Sequence, residues 1–386
     1  MLKIPEKIQY VIETLESKGF EAYIVGGCVR DFLLGKVPHD FDVTTNALPC
    51  DIQRIFEKTV PTGIKHGTVT VIVEKEPVEV TTFRTEGQYT DCRRPDKVEF
   101  VTDLKSDLER RDFTVNAMAY NNTVGLVDCF GGRDDLEKGI LRAVGAPEKR
   151  FNEDALRILR LFRFSSQLDF SIEENTLNAA LKLQKGLEKI SRERIFTELF
   201  KAVAGENPDA LAPLIKSGGL EFLNIKNLPD FSILKKCRES NSLAFFSFVF
   251  LSGAGNDVLY ELKCSNALKN YCKALSELLT MPKPQNKTEI KEMLNISGVP
   301  VFEDFLTFLS ARGDDTEKIY KLLTEITENQ EPYRISDLKI SGKELIKLGL
   351  KGNEVGNALE NLRKFVIEYP EKNNKADLMR NAELTM

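Results

Sequence analysis

Two aspartates one residue apart, Asp40 and Asp42, are the first side chains in this sequence with chemistry to offer. They alternate with Phe41 and Val43. On a strand, that alternation puts both carboxylates on one face and the apolar side chains on the other. Paired carboxylates hold hard cations such as Mg²⁺. Two such cations ~4 Å apart stabilise both the attacking and the leaving oxygen of a phosphoryl transfer. A lone D-x-D also describes a solvated strand edge. Here it follows Gly26-Gly27-Cys28-Val29-Arg30-Asp31. A glycine pair such as Gly26-Gly27 lets backbone approach a phosphate closely, and Arg30 can fork onto a triphosphate. By itself the pair is equally a strand-to-helix turn. Glu79, between Val78 and Val80, is the candidate third carboxylate on a neighbouring strand; the competing reading is a surface glutamate beside Glu74 and Glu76.

A second constellation is Asp154, Arg157, Arg160 and Arg163, spaced by three. On one helix they form a slowly precessing polar face, with Leu156, Ile158, Leu159 and Phe162 supplying apolar surface around the rest. A solvated face with i,i+3 ion pairs would look similar. Three arginines without a lysine favour planar, bidentate recognition instead. Cytosine and adenine each present an amino donor beside a ring-nitrogen acceptor. A carboxylate accepts from the first and a guanidinium donates to the second. Guanine and uracil present a carbonyl beside an N–H, which the same pair repels. Asp154 with Arg157 could therefore pass C and A and reject G and U. Arg110-Arg111-Asp112 adds a basic cluster. Arg111 is placed to reach phosphate or sugar, and Asp112 either serves the site or pairs structurally with Arg110 or Arg111.

These groups need a scaffold. Apolar periodicity predicts a helix within residues 1–20, and Val/Thr/Phe-rich segments predict strands at 22–25, 41–44, 68–73, 78–83 and 98–100. A helix at 48–57 intervenes. This is an α+β unit of ~140 residues, ending near Pro147. Beyond it, strand-like segments give way to amphipathic helical patterns, including 152–165, 192–203, 243–251, 258–279 and 343–364. Breaks fall near Gly205, Met281 and Gln330. The expected divisions are 1–140, 141–205, 206–282 and 283–386.

Composition narrows the chemistry. The chain has 386 residues, 42% hydrophobic and 29% charged, with a net charge of −5. An acidic balance does not exclude polyanions, since binding needs only a local basic face; residues 141–205 carry 12 Lys/Arg against 9 Asp/Glu. Seven scattered cysteines without a C-x-x-C pair argue against a disulfide framework or zinc site. With only His39 and His66, catalysis must rest on carboxylates and basic residues. No apolar run reaches the ~18 residues of a membrane span, and the N-terminus lacks a signal-peptide pattern. A cytoplasmic protein with no membrane association is expected, and no protein partner is legible.

In order and spacing, GGCVRDFLLG with HDFDV, RRDFTVNAMA, Asp128-x-x-Gly131-Gly132 with Asp135-Leu136, EDALRILR, and Arg192-Glu193-Arg194 with Glu198 resemble the motif series of class II tRNA nucleotidyltransferases. These are the bacterial-type CCA-adding enzymes and poly(A) polymerases of the polymerase β superfamily. The resemblance covers roughly residues 20–205. It implies a polymerase-β-like head with a mixed sheet, followed by an all-helical neck, body and tail. It implies addition of C, C and A to the tRNA 3′ end from CTP and ATP with Mg²⁺. It gives Asp40 and Asp42 to the metals, with Glu79 where the superfamily's third carboxylate is expected. It places Gly27, Arg30, Arg111, Asp154, Arg157, Arg160 and Arg163 at the incoming nucleotide. Residues 84–94 resemble the family's flexible loop at full length. The glycines from Gly342 to Gly356 resemble its tRNA-holding tail, although an internally packed helix hairpin fits them equally. With two histidines the chain lacks the His/Asp phosphohydrolase domain of some relatives. An A-adding enzyme or poly(A) polymerase on the same fold, or a non-catalytic nucleotide-binding regulatory protein, stand as alternatives.

Overall fold

The computed structural model describes residues 3–38, 40–86 and 98–384. The chain divides into two compact units. The first runs to Leu228 and includes Ser252–Ala254 and Glu261–Lys263; the second holds Pro229–Leu251, Gly255–Tyr260 and the chain from Cys264.

The first unit opens with helix α1 (Glu6–Ser17), whose Ile8, Val11, Ile12 and Leu15 are buried along one stripe. Strands follow at β1 (Ala22–Val25), β2 (Asp42–Thr45), β3 (Thr59–Gly63), β4 (Thr68–Val73) and β5 (Glu76–Thr82), with α2 (Gly27–Leu33) and α3 (Pro49–Ile55) between them. A separate pair, β6 (Arg84–Glu86) with β7 (Val98–Phe100), precedes α4 (Leu104–Glu109). The hairpin β8 (Met118–Asn121) and β9 (Gly125–Asp128) leads to α5 (Gly132–Lys138). The seven-stranded sheet has the order β3-β4-β5-β2-β1-β8-β9. β2 and β5 are parallel and the other neighbours antiparallel, so the sheet is mixed. Glu74 and Lys75 join β4 to β5 with φ of 51° and 71°, the backbone of a tight type I′ hairpin.

The expected end of strand structure at Pro147 is corrected: β10 (Ile140–Leu141) pairs in parallel with β11 (Ser171–Ile172), two residues being too short to leave a period. Helices otherwise take over, as α6 (Pro147–Glu153), α7 (Leu156–Leu168), α8 (Glu174–Leu183), α9 (Arg192–Val203) and α10 (Ala212–Lys216). The single helix expected over 152–165 is two. Asp154 is extended (φ −142°, ψ 104°), and its side chain accepts from the Leu156 backbone N–H at 3.0 Å. An aspartate whose carboxylate takes the backbone N–H two residues on holds a turn, which ends the helix before it.

The second unit is helical, from α11 (Phe231–Cys237), α12 (Asn241–Leu251), α13 (Asp257–Glu261) and α14 (Asn266–Thr280) to α15 (Lys287–Ala311), α16 (Glu317–Glu328), α17 (Gly342–Lys347), α18 (Asn353–Glu368) and α19 (Lys375–Leu384). Phe245, Phe246, Phe248, Phe302, Phe305 and Phe308 fill its core. The helices expected over 258–279 and 343–364 are each interrupted, the latter by Gly349 and Gly352 at positive φ. Leu345 of α17 and Leu362 and Val366 of α18 share one apolar cluster, the internally packed hairpin. Among the described residues no helix is long and apolar enough to cross a membrane. The loop expected over 84–94 lies outside the described residues from position 87.

Candidate active site

The carboxylate end of the site is built where β1 hands over to α2. Gly26 turns the chain at φ 82°, and its N–H donates to Met118 O. A Cβ there would sit 2.9 Å from Arg111 Nη1, whereas one on Gly27 would meet nothing closer than Arg30 Nη2 at 3.7 Å. The close approach belongs to Gly26. Gly27 begins the helix.

Asp42 is the first residue of β2. Its register partners are Val25 on β1 and Glu79 on β5. In-register neighbours project to the same face, so Glu79, which is exposed, shares the face of Asp42. Asp40 precedes the strand in irregular backbone and is exposed; His39 lies outside the described residues. The expectation that strand pleating aligns Asp40 with Asp42 is therefore corrected, because pairing starts only at Asp42. The two still interact electrostatically. Desolvation raises the Asp42 carboxyl above its usual range, Arg111 opposes this, and Asp40 raises it further. Two carboxylates that resist sharing negative charge suit a hard cation that keeps positions for water and phosphate. Among the described residues no group of three or more His, Cys, Asp or Glu is gathered closely enough to hold a metal. Glu79 thus lies beside the pair without completing a cage.

Behind the carboxylates runs a lattice of arginines. Asp107 of α4 is fully buried. It accepts from Arg110 Nε and Nη2 at 3.0 and 2.8 Å, from Arg111 Nη2 at 3.4 Å, from Thr44 at 3.5 Å and from the Arg84 N–H at 3.3 Å. Asp107, rather than Asp112, is the partner of both arginines. Asp112 instead takes Arg160 in a two-pronged pair at 2.8 and 2.6 Å and accepts from Asn116 at 3.2 Å. Asn116 in turn accepts from Arg30 Nη1 at 2.8 Å, while Arg30 Nε and Nη2 hold Asp31. Arg163 Nε lies 2.7 Å from Glu198. The Nε of Arg111 is buried without a hydrogen-bond partner, a donor in want of an acceptor.

Asp154 and Arg157 do not pair with each other. Asp154 takes Arg194 at 2.7 Å; Arg157 takes Glu153 at 2.6 Å and donates to the carbonyls of Arg150 and Arg110. Both nevertheless line one cavity of 430 Å³, together with Arg111, Arg160, Arg194 and Glu198. That volume falls within the ~300–1,000 Å³ of small-molecule sites. Its wall offers many donors and three carboxylates, Asp112, Asp154 and Glu198, a surface for a polyanion with a polar head.

The Asp112–Arg160 pair carries a testable pH dependence. Burial alone would raise the Asp112 carboxyl, but the Arg160 guanidinium, with help from Asn116, holds it down to about 2 from an ordinary 3.8. A lowered acid stabilises the fold above its unfolded pKa, and that contribution drains away as pH falls from about 4 toward 2, worth about 2 kcal/mol. In urea titrations, wild type loses more stability across that interval than Asp112→Asn does. Parallel acid limbs would refute the assignment.

Asp107, Asn116 and Phe164, whose ring lies 4.0 Å from the Arg163 guanidinium, were not legible as site residues. Only Asp107 left a signal, its i,i+3 and i,i+4 spacing to Arg110 and Arg111.

Three family models match the chain. One described as the poly A polymerase head domain covers residues 22–142. One for an RNA and SrmB-binding region of polymerase A covers 169–231, and one for tRNA nucleotidyltransferase domain 2 covers 238–382. The CCA-adding enzyme of Ligilactobacillus salivarius is 39% identical over 97% of this chain and 95% of its own length. That of Leuconostoc mesenteroides is 37% identical over 93% and 91%. The crystal structure of the Bacillus stearothermophilus CCA-adding enzyme in complex with CTP is similar over 98% of both chains, with TM-score 0.82 and 31% identity.

Proposed function

The chain belongs to the CCA-adding enzyme family, and from that premise we propose how its own residues carry out the reaction. The enzyme adds C, C and A to the 3′ end of tRNA from CTP and ATP, releasing pyrophosphate. In such nucleotidyltransferases the transfer depends on a divalent metal; we take Mg²⁺ as the ion and Asp40 and Asp42 as its protein ligands. When bound, the metal supplies positive charge to the entering and departing oxygens. Glu79 adds negative charge beside Asp42 from the adjoining strand.

The observation that carries the reading is the single cavity shared by Asp154, Arg157, Arg160 and Arg111, next to the Asp42 carboxylate that Arg111 feels. Arg111, with its unsatisfied Nε, donates to the triphosphate. Arg30 and Arg163 flank it, and the turn at Gly26-Gly27 keeps backbone and phosphate close. Asp154 accepts from the amino group of the incoming base, Arg157 donates to its ring nitrogen, and Arg160 braces the ribose side. Arg194 fixes the Asp154 carboxylate at 2.7 Å, so the acceptor is oriented before the base arrives. Residues 1–140 act as the catalytic head, 141–205 as the base-reading neck, 206–282 as the body and 283–386 as the tRNA-holding tail. We place the enzyme in the cytoplasm, where tRNA, CTP and ATP meet.

The decisive experiment supplies tRNA lacking one, two or three terminal nucleotides with single NTPs and resolves the products on a sequencing gel. Ordered C, C, A products are expected; products containing only A would overturn the C-adding part. In the same assay Asp154→Ala gives up discrimination against UTP and GTP by about tenfold or more, the cost of unsatisfied buried groups having been removed. Unchanged selectivity would rule Asp154 out as the base reader.

A further inference from the structure

Phe164 on α7 is surrounded by positive charge. The guanidinium carbons of Arg163, Arg30 and Arg160 lie over its ring at 4.0, 5.2 and 5.3 Å from the centroid. The ring is 8% exposed and is braced edge-on by Phe113 at 5.9 Å and 82°. Arg30 comes from α2 of the sheet region and the other two from α7. One aromatic side chain therefore gathers three cations from two parts of the unit. Each cation also has a carboxylate, namely Asp31, Asp112 and Glu198 respectively for Arg30, Arg160 and Arg163.

Three guanidiniums so close repel one another, and carboxylates relieve this by taking their N–H groups. A ring relieves it differently. Its electron-rich face attracts the cation as a whole and takes no hydrogen-bond donor, so the N–H groups not already held by Asp31, Asn116, Asp112 and Glu198 stay available to phosphate oxygens. We propose that Phe164 is a positioning residue for nucleotide binding: by holding Arg30, Arg160 and Arg163 over one ring it sets the affinity for the triphosphate without touching the base. This rests on the reading that those arginines face the nucleotide.

The proposal separates nucleotide affinity from base choice. Phe164→Leu keeps apolar volume and loses the ring face. It raises KM for CTP and ATP alike by about tenfold, the scale of desolvated cation–π contacts, with KM for tRNA and the C-over-U ratio unchanged. Phe164→Tyr restores KM. Equal impairment of the Leu and Tyr variants, or a Leu variant with wild-type KM, overturns the proposal. Should Phe164→Leu not fold, a series of ring-fluorinated phenylalanines at position 164 keeps the shape and drains the ring face. KM then climbs with fluorine count, and a flat series overturns the idea. Arg163→Gln is the control for the underlying reading. If it leaves nucleotide KM unaltered, the arginine assignment has failed; if it raises KM while the ring series stays flat, only the role of Phe164 has failed.

Discussion

Asp42→Asn lowers the rate of nucleotide incorporation by on the order of 10³-fold or more, as expected when several kcal/mol of transition-state charge stabilisation is lost, and leaves tRNA binding intact. Asparagine preserves the shape of the side chain and the pairing of β2 with β1 and β5, which runs through backbone groups. What it removes is a charge at the one position that neighbours Glu79 in register and feels both Asp40 and Arg111. Single-turnover incorporation beside filter binding of tRNA separates the two effects. A variant within tenfold of wild type would mean the ion is held elsewhere.

The largest stability loss falls on a residue that does no chemistry. Asp107→Ala costs about 3–5 kcal/mol, as breaking a buried ion pair from one side does. It removes the counter-charge that Arg110 and Arg111 share and also releases Thr44 and the Arg84 N–H. Burial already works against the Arg111 cation, and Asp107 is what mainly sustains it. Denaturant unfolding should show an earlier transition for the first unit, with nucleotide incorporation lost in step. A midpoint shift below about 0.5 kcal/mol, the range of ordinary surface changes, would show that the arginines find other partners.

Much of the frame was readable because its periods are strong. β1, β4 and α9 begin and end where a short apolar run, the alternation of valines with threonine and isoleucine, and the spacing of Ile195, Leu199 and Ala202 respectively put them. The hairpin of β8 and β9 escaped notice since its Asn, Ala and Gly content carries little strand preference. The site was legible as types and not as pairs. Arginine spacing pointed to α7, but Asp154 fits a three-residue spacing as well as its arginines do, and nothing in the string reveals that it sits in the turn between two helices rather than on one. Asp107 reads as a surface acid in a charged run, while the fold buries it completely. Which acid neutralises which arginine depends on approach between distant segments, as when Asp112 meets Arg160 48 positions away.

The tight turn at Glu74 and Lys75 behaves as a phase mark for the sheet. From it β5 runs in strict register with β4, Val73 facing Glu76 and Thr70 facing Glu79. Because side chains alternate with a period of two, one residue gained or lost at that tip would exchange Glu79 for a valine on the face it shares with Asp42. The turn does not line the nucleotide cavity, yet its length is part of the site's specification. Across related sequences, this loop should vary in residue type and hold its count.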